Sequence, residues 1–299
     1  MTILQAIILG LVQGLTEFIP ISSTAHLVFA SRAVGLYDGF GATLRAEQTT
    51  ATIAVLQLGT LLAVLIYFAG DIVKITRAFV VDHLALITGR RRIASSDGSN
   101  QRLSLDAWLG WLVILGSIPV AVVGLLFKKQ IEGTFTKNLW VIATMMIVIA
   151  LLLALAELVG KKQRVMEQLG IFDALAVGFA QCLALIPGSS RSGSTIMAGL
   201  FAGEVRETAA RFSFLLSIPA VAASGLLELK KAVHILPQGS YGPLFVGTLA
   251  SAIVGFASIH FLLRYLRTHT TGIFIGYRLV IGGLIMLGLL TGHLAAAVK

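Results

Sequence analysis

Charge is what this sequence has least of. Asp, Glu, Lys and Arg make up 12% of its 299 residues, against about 25% in a soluble domain, which leaves too little polar surface to hold the chain in water. Cysteine is nearly absent too. Cys182 stands alone, which excludes an internal disulfide and any cysteine-based metal cluster. Long polar stretches are missing: the longest, ITGRRRIASSDGSNQRLS over 87–104, is a Ser-, Gly- and Arg-rich loop with nothing to bury, so no soluble domain is expected beside the apolar segments. Residues 1–30 are apolar but contain no Lys or Arg, and so lack the basic start of a cleavable signal peptide.

What remains is 57% hydrophobic, with a mean hydropathy of +0.90. That is the composition of an all-α integral membrane protein built from spans of about 20 apolar residues. Six segments are long enough to cross a bilayer: roughly 47–69, 106–127, 138–159, 204–229, 241–266 and 271–297. The net charge of +9 sits in short loops between spans. It reads as a topology signal rather than a nucleic-acid-binding face, and no nucleic acid partner is expected.

Two further apolar regions, 2–36 and 171–203, are interrupted by nearly the same polar phrase, IPISSTAH at 19–26 and IPGSSRSG at 186–193. Proline disfavours helix in the residue before it, and serine is a natural cap for a new helix. Each region therefore reads as a re-entrant pair: helix, break, second helix. Broken backbone survives at membrane depth only where protein or a water-filled cavity satisfies it.

The chain is read as one polytopic membrane domain, 1–299, in two halves of about 1–160 and 161–299, each a broken pair followed by three spans. Residues 10–23 align with 178–190 when one residue is gapped. Three spans is an odd number, so the second copy enters from the opposite face, giving an inverted-topology repeat with discontinuous helices at its centre. Basic residues orient it. The loops 70–105, 160–170 and 264–270, with Arg206 and Arg211, carry thirteen Lys and Arg against seven on the other side, which makes that face cytoplasmic. Both termini and the first broken pair then lie outside.

Glu17, His26 and Arg191 are ionisable residues at or beside the breaks. An ionisable group in a membrane costs about 3 kcal/mol to insert and reads as functional by default. Gln13 and Glu17 are four apart on one helical face; Ser22, Ser23, Thr24 and His26 begin the next helix. In the second break Gly188, Ser190, Arg191 and Ser192 combine small residues, helix-start amides and a planar guanidinium, a cradle for phosphate. If the breaks meet, a phosphate on Arg191 lies against Ser23, His26 and Glu17. Gln57 is a candidate to line the same cavity. Arg278, Glu157, Asp173 and His260 belong to no such constellation and read as structural.

QGLTEFIPISSTAH together with PGSSRSGST resembles the bacterial undecaprenyl-diphosphatase family, the bacitracin-resistance proteins, over essentially the whole chain. The resemblance implies a hydrolase of the bacterial inner membrane that converts undecaprenyl diphosphate to undecaprenyl phosphate and inorganic phosphate, recycling the lipid carrier of cell-wall synthesis. It implies an outward-facing site in which Glu17, Ser23, His26 and Arg191 are catalytic. Ser22, Thr24, Gly188, Ser190 and Ser192 join Arg191 in binding phosphate, and Glu17 with Gln13 holds a divalent cation, magnesium or calcium. A homodimer is implied as well. Gln13 stands where many members carry glutamate, which weakens any scheme needing two carboxylates on the metal. The nucleophile stays open between Ser23 with His26 as its base, which is preferred, His26 itself, and water. The rival class is a polyprenyl-phosphate transporter or flippase, which would use the same phosphate clamp but has no need of a nucleophile.

Overall fold

The computed structural model describes residues 1–89, 103–127 and 138–296. Among them the chain forms eleven α-helices and no strand beyond a single bridge. In the first half these are α1 Ile3–Phe18, α2 Ser23–Ala33, α3 Ala42–Tyr67, α4 Ala69–Ile87, α5 Leu105–Leu126 and α6 Leu139–Val159. The second half has α7 Ile171–Cys182, α8 Arg191–Phe201, α9 Arg206–Ile235, α10 Tyr241–Leu266 and α11 Gly272–Leu290. Six of them, α3, α5, α6, α9, α10 and α11, are long and apolar enough to cross a membrane. Their outward faces are apolar as well: Leu125 is 75% and Leu158 83% exposed, which suits hydrocarbon rather than water.

The two interrupted regions fold as helical pairs. At 16 and 11 residues, α1 and α2 are about 24 and 16 Å long, short of the ~30 Å hydrocarbon core. Ile19 and Ile186, each preceding a proline, leave the helical region at ψ 134° and ψ 120°, as the proline ring requires. The pairs match in detail. α2 and α8 are both 11 residues long. Ser22 and Ser190, which open them, both have left-handed φ, 77° and 67°, and Gly35 and Gly203, which follow them, are left-handed too. The helix starts, the serines and the glycines share one offset, 168 positions, while the Ile–Pro pairs stand 167 apart. The gapped sequence alignment pairs Ser23 with Ser190; the backbone pairs Ser22 with Ser190, and Ser23 with Arg191.

Packing between the halves follows the same exchange. α1 lies against α10, the middle span of the second half, and α7 against α5, the middle span of the first; α3 packs on α9, and α6 on α11. Both short-helix contacts are glycine-mediated close approaches. A Cβ at Gly10 would strike the Gly247 carbonyl, and one at Gly178 would strike that of Gly116. Larger residues at either seam would force the helices apart.

One expectation needs correction. The stretch 70–105 reads as a basic loop, yet 69–87 is helix α4, following α3 through a single non-helical residue, Phe68. Its charges, Asp71, Lys74, Arg77 and Asp82, hide its apolar positions from a hydropathy reading. It is anchored by Phe79 against Gly110, by the Trp111 indole donating to His83 Nε2 at 3.0 Å, and by the Ser104 amide donating to Asp82 at 2.7 Å. The basic positions 90–92, 102, 128, 129 and 137 lie outside the described residues.

Candidate active site

The two breaks meet, and Glu17 is where they do. Its Oε1 accepts from Arg191 Nη2 at 2.9 Å and from Gln57 Nε2 at 3.4 Å. Its Oε2 accepts from Ser23 Oγ at 2.8 Å and from Gln13 Nε2 at 3.1 Å. Thr60, one turn beyond Gln57 on α3, accepts from Gln13 at 3.4 Å. The carboxylate is buried at the last turn of α1, and its donors come from α1, α2, α3 and α8. Ser192 ties the second break to the first, donating to the carbonyls of Glu17 and Ile19 at 3.4 and 3.3 Å.

Arg191 spends only one of its nitrogens on Glu17. Nε and Nη1 are buried with no partner, at the first turn of a helix whose cap, Ser190 Oγ, accepts from the Gly193 amide at 3.2 Å. Buried donors without acceptors are uncommon. These two point to an anion, for which a guanidinium fork beside helix-start amides is the fitting receptor.

His26 sits one turn into α2. Its Nδ1 lies 2.7 Å from the Ser22 carbonyl, and a carbonyl only accepts, so the proton is assigned to Nδ1. Nε2 then offers its lone pair, 2.6 Å from the Tyr277 hydroxyl, and the two rings stack at 5.6 Å. The expected Ser23–His26 pairing is not the one formed: Ser23 donates to Glu17, and the histidine faces Tyr277.

The remaining predicted residues divide. Gln13, Gln57, Ser190 and Ser192 join the network. Ser22 caps α2 with its buried hydroxyl unpartnered, and Thr24 is exposed on the first turn of α2. Gly188, left-handed at φ 92°, presses its backbone on Ile142. Asp173 and Glu157 pair with Arg164 and Arg206, away from the breaks.

Two residues of α11 escaped the sequence reading. Tyr277 carries no signal in a sequence, being one aromatic residue in an apolar span. Arg278 does carry one, because a charge in the middle of a span is the criterion that singled out Glu17. Its side chain is fully buried and donates to carbonyls of both breaks: Nη1 to Pro20 at 3.3 Å, Nη2 to Gly188 at 2.9 Å and Ser189 at 3.1 Å.

The donor set is a poor metal site by itself. Among the described residues no group of three or more His, Cys, Asp and Glu converges, whereas magnesium and calcium take six or more oxygens. Both oxygens of Glu17 are engaged, and Gln13, which donates to one of them, has its Oε1 buried without a partner.

The chain matches the family model described as bacitracin resistance protein BacA over residues 6–284. It is 50% identical over 286 residues, covering 96% of this chain and 97% of the relative, to a protein named undecaprenyl-diphosphatase from Syntrophobacter fumaroxidans. Proteins of the same name from Mycolicibacterium gilvum and Chlorobium phaeovibrioides are 48% and 47% identical, over 99% and 98% of this chain and 100% and 99% of theirs. The chain belongs to the bacitracin resistance protein BacA family.

Proposed function

We propose that this protein is a membrane undecaprenyl-diphosphatase, removing the terminal phosphate of undecaprenyl diphosphate to give undecaprenyl phosphate and inorganic phosphate. Full-length relatives carry that name, and the observation that carries the reading here is Arg191: two buried, unpartnered guanidinium nitrogens beside a serine hydroxyl already hydrogen-bonded to a carboxylate.

Phosphoryl transfer requires positioning and charge neutralisation more than covalent chemistry. The terminal phosphate takes the free Nε and Nη1 of Arg191 and draws the guanidinium off Glu17. The freed carboxylate accepts the Ser23 proton as Oγ attacks phosphorus, and the bond to the bridging oxygen breaks, releasing undecaprenyl phosphate. A water then attacks the phosphoserine. Its proton passes to His26 Nε2, which leaves the Tyr277 hydroxyl to take it and then releases it to solvent, and Glu17 returns a proton to Ser23 as inorganic phosphate leaves. Were a magnesium or calcium ion to bind, Glu17 and Gln13 would be the residues to hold it, and it would supply charge neutralisation at the diphosphate.

The architecture we propose is an inverted repeat with two re-entrant pairs. The 168-residue register and the exchanged packing, α1 on α10 and α7 on α5, support it. The family resemblance supports a bacterial inner membrane location and a homodimer, and the basic-residue bias supports a site opening outward. Release of phosphate by protein in detergent, where there are no two sides, tests the enzyme against the flippase reading: a flippase alone releases none.

A further inference from the structure

Arg278 is a buried cation without an anion. All of its acceptors are neutral backbone carbonyls: Pro20 in the first break, Gly188 and Ser189 in the second, and Met145 and Met146 on α6 at 3.2 and 3.1 Å. Among the described residues no carboxylate pairs with it, whereas three other guanidinium groups bridged across helices each have one: Arg191 with Glu17, Arg206 with Glu157, Arg211 with Asp71. A burial this complete without a counter-ion is costly. The charge also lies under the phosphate cradle, since Nη1 is 3.3 Å from where a Cβ on Gly193, in the first turn of α8, would stand.

A lysine could supply the charge but not this geometry. A guanidinium has five N–H donors in a fixed plane, enough to bind two breaks and a span at once. The carbonyls it holds belong to Pro20, two residues before Ser22, and to Gly188 and Ser189, just before Ser190, so its position fixes where Ser23 and Arg191 begin their helices.

From these observations we infer that Arg278 is a positioning residue that holds the two breaks in register, and that its charge is answered by the phosphoryl group bound between them. The inference rests on the breaks being the phosphate site. Neutralising Arg278 should therefore weaken phosphate binding, and keeping the charge while losing the fork should spare binding but slow the reaction.

The test uses the full chain in detergent, with inorganic phosphate as competitive inhibitor. Arg278→Met should raise the inhibition constant of phosphate and the KM at least tenfold. Arg278→Lys should leave the inhibition constant within threefold of wild type and lower kcat at least tenfold. Arg278→Gln, neutral but still a donor, replaces the methionine variant if that one aggregates. Equal, wild-type-like inhibition constants in the neutral and lysine variants would overturn the charge role, and an unchanged kcat in Arg278→Lys would overturn the positioning role. Arg191→Met serves as the control: if it leaves the phosphate constant unmoved, the site itself is misplaced; if it raises the constant and the neutral Arg278 variant does not, only the inference about Arg278 fails.

Discussion

Ser23 and Arg191 occupy the same position, the first residue of a short helix, in opposite halves of the chain, and each takes one oxygen of the Glu17 carboxylate, at 2.8 and 2.9 Å. One buried acid thus reports on both. Substrate that competes for the arginine changes what the serine is bonded to.

Arg191→Lys keeps the charge and loses the planar fork. Turnover should fall at least tenfold while expression and membrane insertion persist, as phosphate release per mole of purified protein will show. A variant with full activity would remove Arg191 from the site.

Glu17→Gln should cost more than rate. It leaves Arg191 buried without its partner, a change worth about 3 kcal/mol or more, and deprives Ser23 of its proton acceptor. We expect at least a hundredfold loss of kcat together with a lower melting temperature. Loss of one without the other would separate the carboxylate's chemical role from its structural one.

Acid-quenched enzyme in mid-turnover should carry acid-stable phosphoserine, and Ser23→Ala should be inactive. His26→Gln should accumulate the phosphoenzyme, because water then lacks its base. Acid-labile phosphate would transfer the attack to His26, and net inversion at phosphorus, where two successive displacements give retention, would transfer it to water.

Sidedness can be read with cysteines in a Cys182→Ser background. Lys231→Cys, near the C-terminal, outer end of α9, should react with an impermeant thiol reagent on intact cells, and Arg267→Cys should react only once cells are opened. The reverse pattern would turn the site inward.

Glu204, in the turn between α8 and α9, is buried with both carboxylate oxygens unpartnered. Burial, and then the Asp173 charge, raise its pKa to about 8, against the opposing effect of Arg164. The folded protein therefore holds a proton there that the unfolded chain releases near 4.5. Between those values stability should fall as pH rises, by up to about 1.4 kcal/mol per pH unit. Thermal midpoints taken from pH 5 to pH 8 should show this decline, and Glu204→Gln should flatten it.

Much of this was legible in the sequence because membranes tolerate few alternatives. The six spans, both breaks and the Glu17–Arg191 encounter follow from hydropathy, proline and charge. α4 was lost because its four charges mask its apolar positions. The Ser23–His26 pairing failed for a different reason: spacing on a helix says which side chains share a face, and here a carboxylate from α1 reached the serine first. Tyr277 came from 251 residues away along the chain, which no local pattern encodes. Arg278 reads as structural in the sequence because its partners are backbone carbonyls, which a sequence does not display.

The shared register of the two short-helix pairs sets the stoichiometry of the reaction. Advancing Glu17 by the same 168 positions arrives at Leu185, and Ser23 arrives at Arg191. The half that owns the acid therefore lacks the arginine, and the half that owns the arginine lacks the acid. On the proposed mechanism, a fold with two matching breaks therefore has one reaction centre, assembled from unlike halves, and each chain processes a single lipid headgroup at a time.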